Sequence, residues 1–314
     1  MTHPVTLAIG RYNEMDAGPN QTELNALSLD SVRDLQSLPE DQRTAVRAIA
    51  VHAHDKFDGS VMDLLPNLEL ISNYGVGYDA IDVTAATERN IKVTNTPDVL
   101  NDEVADLAVA MLLVQAREIL QASDWVRSGK WKSDGSYRLT RKVSGDSVGI
   151  VGLGRIGREI ADRLAAFKMD IHYHSRTAKE TPGWTYHADP VSLAGAVDCL
   201  IVALVGGSDT QGYVSADVLR ALGPRGIVVN ISRGSTIDEA ALLDALEKRE
   251  IAGACLDVFS SEPDIDSRFL ALDNVLLQPH HGSATDTTRR AMGQLQRDNV
   301  SALLAGKPLL TPVN

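Results

Sequence analysis

The stretch Ser147-Val148-Gly149-Ile150-Val151-Gly152-Leu153-Gly154-Arg155-Ile156-Gly157-Arg158-Glu159 decides the fold. Its short apolar run, Val148 to Val151, reads as a buried strand, and apolar residues then recur at Ile156, Ile160, Leu164 and Phe167, which is helical spacing. Strand, glycine turn and helix in that order are the setting in which Gly-x-Gly-x-x-Gly has a physical meaning. Gly152 permits the tight turn, Gly154 admits a pyrophosphate close to the backbone, and Gly157 lets the helix lie against the strand. The first helical residues, Arg155 and Ile156, then bring free N–H groups and the positive end of the helix dipole to the phosphates.

Working outward, the next strand, residues 170–173, runs into His174-Ser175-Arg176-Thr177. An NAD site wants a carboxylate there for the ribose hydroxyls. None is present, and Asp170 lies at the wrong end of the strand. Ser175, Arg176 and Thr177 instead suit a 2′-phosphate, so NADP(H) is expected over NAD(H); the alternative for Arg176 is a solvated surface charge. Further strands are expected at 197–203, 226–230, 251–259 and 274–278, with a helix at 239–247. Residues 285–304 are helical by period and carry the chain back to its first part. Before residue 97, strands at 5–9, 48–51, 68–72 and 91–94, with helical stretches around 60–65 and 82–88, give a second parallel sheet without a glycine fingerprint. A glycine-rich turn, Asn73-Tyr74-Gly75-Val76-Gly77-Tyr78-Asp79, follows the strand 68–72. An anion held by its N–H groups and a plain tight turn are both open on spacing alone. From Asn101 to Gly129 a long helix, apolar nearly all round, suits burial on more than one side, and the loop after it exposes Trp131.

With 314 residues, 44% of them hydrophobic and 23% charged, the chain is an ordinary globular protein of about two domains. A net charge of −12 disfavours nucleic acid and anionic membrane as partners. Cys199 and Cys255 lie in apolar runs without metal-ligand spacing, so neither a disulfide framework nor a metal site is expected. The first residues lack the pattern of a signal peptide and no apolar stretch reaches transmembrane length, which makes the cytoplasm the expected location.

Three stretches place chemically useful residues where strands should end: Asn230-Ile231-Ser232-Arg233-Gly234, Asp257-Val258-Phe259-Ser260-Ser261-Glu262-Pro263, and Pro279-His280-His281-Gly282-Ser283-Ala284. An arginine, a carboxylate and a histidine suit hydride transfer to a carbonyl: the first fixes a 2-keto acid, the third supplies a proton, and the second holds the imidazolium. Singly, each has an ordinary structural reading as an ion pair, a surface turn or a satisfied histidine.

Taken in order with Gly-x-Gly-x-x-Gly, and with Tyr74 to Asp82 and Asn95-Thr96-Pro97 before it, these motifs resemble the D-isomer-specific 2-hydroxyacid dehydrogenases over nearly the whole chain. The resemblance implies an α/β protein of two lobes, a Rossmann dinucleotide-binding domain at 99–285 and a smaller flavodoxin-like substrate domain at 1–98 and 286–314. The active site is then expected between the lobes, and the helix after the first crossover is expected to build a homodimer. The resemblance also assigns roles. Arg233 binds the substrate carboxylate and carbonyl oxygen, Glu262 pairs with His280, and His280 is the general acid in reduction. The N–H groups of Val76 and Gly77 hold the carboxylate, and Asp257 orients the nicotinamide carboxamide. Glu262 argues against formate as the substrate. The chain departs from the family pattern at His281, Asn101 and Val205-Gly206-Gly207. His52 and His54 fall where the family lines its substrate pocket, so the resemblance admits that at least one faces the cleft; a solvated loop histidine is the plainer expectation. The compact length and the strand end at Arg176 look like glyoxylate/hydroxypyruvate reductases and their hydroxyphenylpyruvate relatives. NADPH-dependent reduction of a small 2-keto acid is the expected activity. A non-catalytic NAD(P) sensor, or a dehydrogenase for phosphite or a sugar acid, is the alternative.

Overall fold

The computed structural model describes residues 5–52 and 55–314, so His54 lies outside the described residues. The chain forms two compact units, Met1–Leu100 with Ala284–Asn314, and Asn101–Ser283. The seams therefore fall at 100/101 and 283/284, two residues from the boundaries expected at 98/99 and 285/286.

In the first unit the strands are β1 (Thr6–Gly10), β2 (Leu27–Leu29), β3 (Ala48–His52), β4 (Leu70–Asn73) and β5 (Lys92–Thr94). They pair in the order β2-β1-β3-β4-β5, parallel throughout, which is the flavodoxin-like order. The helix Asp286–Leu304 returns to pack on β3, β4 and the helix Glu14–Leu24. Polar groups seat it. Gln296, fully buried, donates to the carbonyls of Val51 and Ser72, and Arg297 pairs with buried Asp16 at 3.1 Å.

The second unit holds β6 (Ser147–Val151), β7 (Asp170–His174), β8 (Thr185–His187), β9 (Cys199–Val202), β10 (Ile227–Asn230), β11 (Gly253–Leu256) and β12 (Val275–Leu277). Their order is β12-β11-β10-β9-β6-β7-β8, again all parallel, which is the doubly wound Rossmann order with one strand more. The four residues of β9, β10 and β11 are buried without interruption. A parallel sheet covered on both faces requires that, which is why these strands appear in the sequence as apolar runs and not as alternation. Cys199 and Cys255 are two of those core residues, and burial pushes the Cys199 thiol up to about 12.

Several elements differ from the sequence expectation. The helix begun at Asn101 ends at Ala116, and Glu118 turns left-handed at φ 49° before a second helix, Ile119–Arg127. One side of the first helix, including Val104, Ala105, Ala108, Met111 and Leu112, is buried. The helix after the glycine turn, Arg155–Ala166, stops one residue short of Phe167, which is 41% exposed although its spacing points inward. Neither β2 nor β8 has an apolar run long enough to announce it. Among the described residues no helix is long and apolar enough to cross a membrane.

Candidate active site

In an open parallel sheet ligands gather beyond the carboxyl ends of the strands, at the point where strand order reverses. In the second unit that point is β6, which has β7 on one side and β9 on the other. The glycine turn leaves β6 there. Gly152 has φ +99°, and its N–H donates to the carbonyl of His174 at 2.9 Å. A Cβ on Gly157 would stand 2.1 Å from the Gly152 carbonyl oxygen, whereas one on Gly154 would meet nothing within 4 Å. The turn is thus closed toward the strand and open outward. Gly154 gives the helix Arg155–Ala166 no side-chain cap, so the first turn of the helix faces the glycine loop as an N-terminus of the kind that attracts anions. A pyrophosphate fits such a cradle.

At the end of β7, Ser175 Oγ donates to the Thr177 carbonyl at 2.7 Å, tightening the turn, and Arg176 is exposed. No carboxylate stands in this turn, and the Arg176 guanidinium makes no ion pair among the described residues. Asp170, at the far end of the strand, instead meets His172 Nε2 at 3.2 Å.

Arg233, Glu262 and His280 follow β10, β11 and β12, three neighbours in the sheet. His280 Nδ1 lies 2.6 Å from Glu262 Oε2, and the other oxygen, Oε1, accepts the Phe259 N–H at 2.8 Å. The carboxylate is acceptor only, so Nδ1 carries a proton and Nε2 is the ring nitrogen turned away from Glu262. His280 sits at φ 51°, a left-handed conformation that histidine tolerates better than most residues. Asp257 holds that turn: Oδ1 accepts the His281 N–H at 2.8 Å and Oδ2 the Gly282 N–H at 2.9 Å. Burial pushes the Asp257 carboxyl above its usual range, against the pull of those two amides. Each oxygen keeps a second lone pair for a carboxamide. The His281 side chain is exposed.

Arg233 is placed through its backbone. Its carbonyl accepts from Asn230 Nδ2 at 2.9 Å and Thr236 Oγ1 at 2.6 Å, and its guanidinium NH1 donates to the Ser232 carbonyl at 2.8 Å. The next residue must be glycine, because a Cβ there would stand 1.9 Å from the Phe259 carbonyl carbon. Gly234 thus packs the Arg233 turn directly on the segment whose amide holds Glu262. The glycine was visible in the sequence, but nothing local signals its neighbour.

Val76 and Gly77 belong to the first unit, beyond β4. Asn95 Nδ2 binds the Val76 carbonyl at 2.9 Å, and Asn73 Nδ2 binds the Gly77 carbonyl at 2.8 Å. Both carbonyls are therefore turned to protein, and the two N–H groups find no acceptor among the described residues. That favours an anion-holding turn over a plain one. Asn73 and Asn95, which create this polarity, were quoted from sequence as the first residues of their motifs but given no role of their own; an asparagine at a strand end before Gly-x-Gly is the available signal. His52, half-buried at the end of β3, has its ring 4.6 Å from that of Tyr74. Trp131 is 63% exposed.

Residues 109–282 match the family described as D-isomer specific 2-hydroxyacid dehydrogenase, NAD binding domain. The chain is 45% identical over 276 residues to a glyoxylate/hydroxypyruvate reductase of Arabidopsis thaliana, covering 88% of each. It is 43% identical over 272 residues to the hydroxyphenylpyruvate reductase of Plectranthus scutellarioides, covering 87% of each. Among solved structures, the NADPH-dependent glyoxylate/hydroxypyruvate reductase of Sinorhizobium meliloti, in complex with NADP and malonate, is 44% identical. It superposes with a TM-score of 0.93, covering 99% of this chain and 97% of that one.

Proposed function

The chain belongs to the D-isomer specific 2-hydroxyacid dehydrogenase family, and from that premise we propose that it reduces glyoxylate, hydroxypyruvate or a similarly small 2-keto acid with NADPH, giving the D-2-hydroxy acid. The observation that carries this reading is the Glu262–His280 pair beside the Arg233 turn, at the carboxyl ends of three adjacent strands. Gly152, Gly154, Arg155, Ile156 and Gly157 hold the pyrophosphate, Ser175, Arg176 and Thr177 the 2′-phosphate, and Asp257 the carboxamide. When bound, the cofactor supplies the hydride that adds to the keto carbon. Arg233 binds the substrate carboxylate and the carbonyl oxygen, and its charge offsets the negative charge that grows there. His280 gives its Nε2 proton to that oxygen, while Glu262 Oε2 orients the ring through Nδ1 and stabilises the imidazolium beforehand. The amides of Val76 and Gly77 form an anion site on the first unit.

Support for NADPH over NADH comes from the end of β7, where a cation stands and a carboxylate does not, and from the NADP complex of the Sinorhizobium relative. Initial rates with each cofactor against glyoxylate, hydroxypyruvate, pyruvate and hydroxyphenylpyruvate test both halves of the proposal. Turnover of no acid would overturn it. Replacing Arg176 with Ala is expected to raise the KM for NADPH by about 10- to 100-fold, the size of a charge-assisted contact, and to leave that for NADH nearly unchanged. An equal effect on both cofactors would reduce Arg176 to a surface charge.

The same reading includes a homodimer. Ile119, Leu120, Val126, Trp131 and Leu139, all from the segment after the first helix of the second unit, are 47–99% exposed. Five large apolar side chains exposed within some twenty residues mark an interaction surface. Sedimentation equilibrium should return twice the chain mass, and a monomer at micromolar concentration would remove this part of the proposal.

A further inference from the structure

His174, the last residue of β7, touches three parts of the second unit at once. Its carbonyl accepts the Gly152 N–H at 2.9 Å, which ties it to the glycine turn. Its imidazole is buried, with Nδ1 2.9 Å from the His187 carbonyl oxygen on β8 and Nε2 2.7 Å from the Tyr213 hydroxyl. A carbonyl can only accept, so Nδ1 bears the hydrogen and Nε2 accepts the Tyr213 O–H. The two rings stack at 5.8 Å. On either side of Tyr213 the backbone is hydrogen-bonded to the turn that follows Arg233. The N–H of Gly212 donates to the Ser235 carbonyl at 2.7 Å, that of Val214 to the Thr236 carbonyl at 3.0 Å, and Thr236 Oγ1 holds the Arg233 carbonyl. In the other direction, His174 is followed at once by Ser175 and Arg176.

We propose that the His174–Tyr213 hydrogen bond is a positioning device that holds the strand end bearing Arg176 and the turn bearing Arg233 in register. It sets both the preference for a 2′-phosphorylated cofactor and the affinity for the keto acid. The physical basis is that a buried imidazole nitrogen left without its donor is costly, so loss of the bond lets both flanking segments shift to find another partner. Each segment ends in a guanidinium whose usefulness depends on its direction. Neither His174 nor Tyr213 touches a reactant; both act through Arg176 and Arg233. The inference rests on the cofactor and substrate reading above.

The test uses the full chain, with Kd for NADPH and for NADH measured by fluorescence and the keto-acid KM measured at saturating cofactor. Tyr213→Phe removes only the hydroxyl and keeps the ring. His174→Asn retains a donor for the His187 carbonyl but falls short of Tyr213, and His174→Gln extends an amide toward it. Loss of one such bond should weaken NADPH binding about fivefold, NADH binding less than about twofold, and raise the keto-acid KM about threefold in Tyr213→Phe and in His174→Asn. The double variant should be no worse than either single, and His174→Gln should recover most of the loss. Equal weakening of both cofactors, an unmoved keto-acid KM, or effects that multiply in the double variant would each overturn the proposal, whatever happens to the Tm. Should the unaltered protein itself bind NADPH and NADH alike, the Arg176 reading fails separately, and the keto-acid KM cycle still decides the pair.

Discussion

His280→Asn is expected to lower kcat by about 10³-fold or more, since a positioned proton donor contributes roughly 10²–10⁴. Binding of NADPH should be unchanged, because none of the groups assigned to the cofactor involves the imidazole. Asparagine can still reach toward Glu262 with its amide, so the turn that Asp257 holds through the His281 and Gly282 amides survives. What is lost is the exchangeable proton at Nε2. Glu262→Gln should fall between the variant and the parent, for the ring would keep a neutral partner at Nδ1 while the imidazolium loses its counter-charge. A kcat for His280→Asn within tenfold of the parent would sink the assignment of the proton donor. Retained cofactor binding with lost turnover also separates an enzyme from a dinucleotide sensor, whose response would persist in this variant.

The second large effect is expected at Arg233. Replacement with Lys keeps the charge but substitutes a single flexible ammonium for a planar fork, and the fork is what engages a carboxylate and a carbonyl oxygen together. Loss of one aimed donor to a developing oxyanion costs about 10²–10³ in rate, so kcat/KM for the keto acid should fall by that order. The cofactor Kd should stay within about twofold, since its contacts are assigned elsewhere. The backbone geometry should hold, because the turn is fixed through the Arg233 carbonyl by Asn230 and Thr236 and through the packing of Gly234 on Phe259, not through the guanidinium alone. Normal kcat/KM in Arg233→Lys would mean that charge alone suffices and that the bidentate role is wrong.

Legibility followed how local each signal was. The helix Glu239–Glu247 begins and ends where its pattern indicates, with Asp238 capping it by accepting the Ala241 N–H. Strands β9 to β11 were legible as apolar runs, each a residue or more shorter than the run that announced it. The break at Glu118 was not, since no glycine or proline marks it and only the return of the chain around Tyr137 and Arg138, which bind the Glu118 carboxylate, shows where the first helix stops. Strand β8, Thr-Tyr-His, has no hydrophobic signature because it is an edge strand. It is pinned from β7 by His172 and His174, which meet the His187 ring and carbonyl respectively. Phe167 keeps helical phase but lies past the helix end, where Lys168 turns at φ 62° and Met169 takes the buried position.

By itself the sequence determined the two parallel α/β lobes, the return of the last helix to the first lobe, and the residue types and order of the site. Each of these depends on a period, a turn glycine or a motif contained within a few residues. The pairing of Glu262 with His280 was implied by the family resemblance, and the structure shows it; only the tertiary structure decided that Glu262 Oε1 is held by the Phe259 amide, that Gly234 is required by the backbone of Phe259, and that the carbonyls of Val76 and Gly77 are turned away by Asn95 and Asn73. The contacts of Glu262 with His280, of Gly234 with Phe259 and of Val76 with Asn95 join segments from different strands. Whether two such segments meet is set by sheet order and loop packing, which no local pattern encodes.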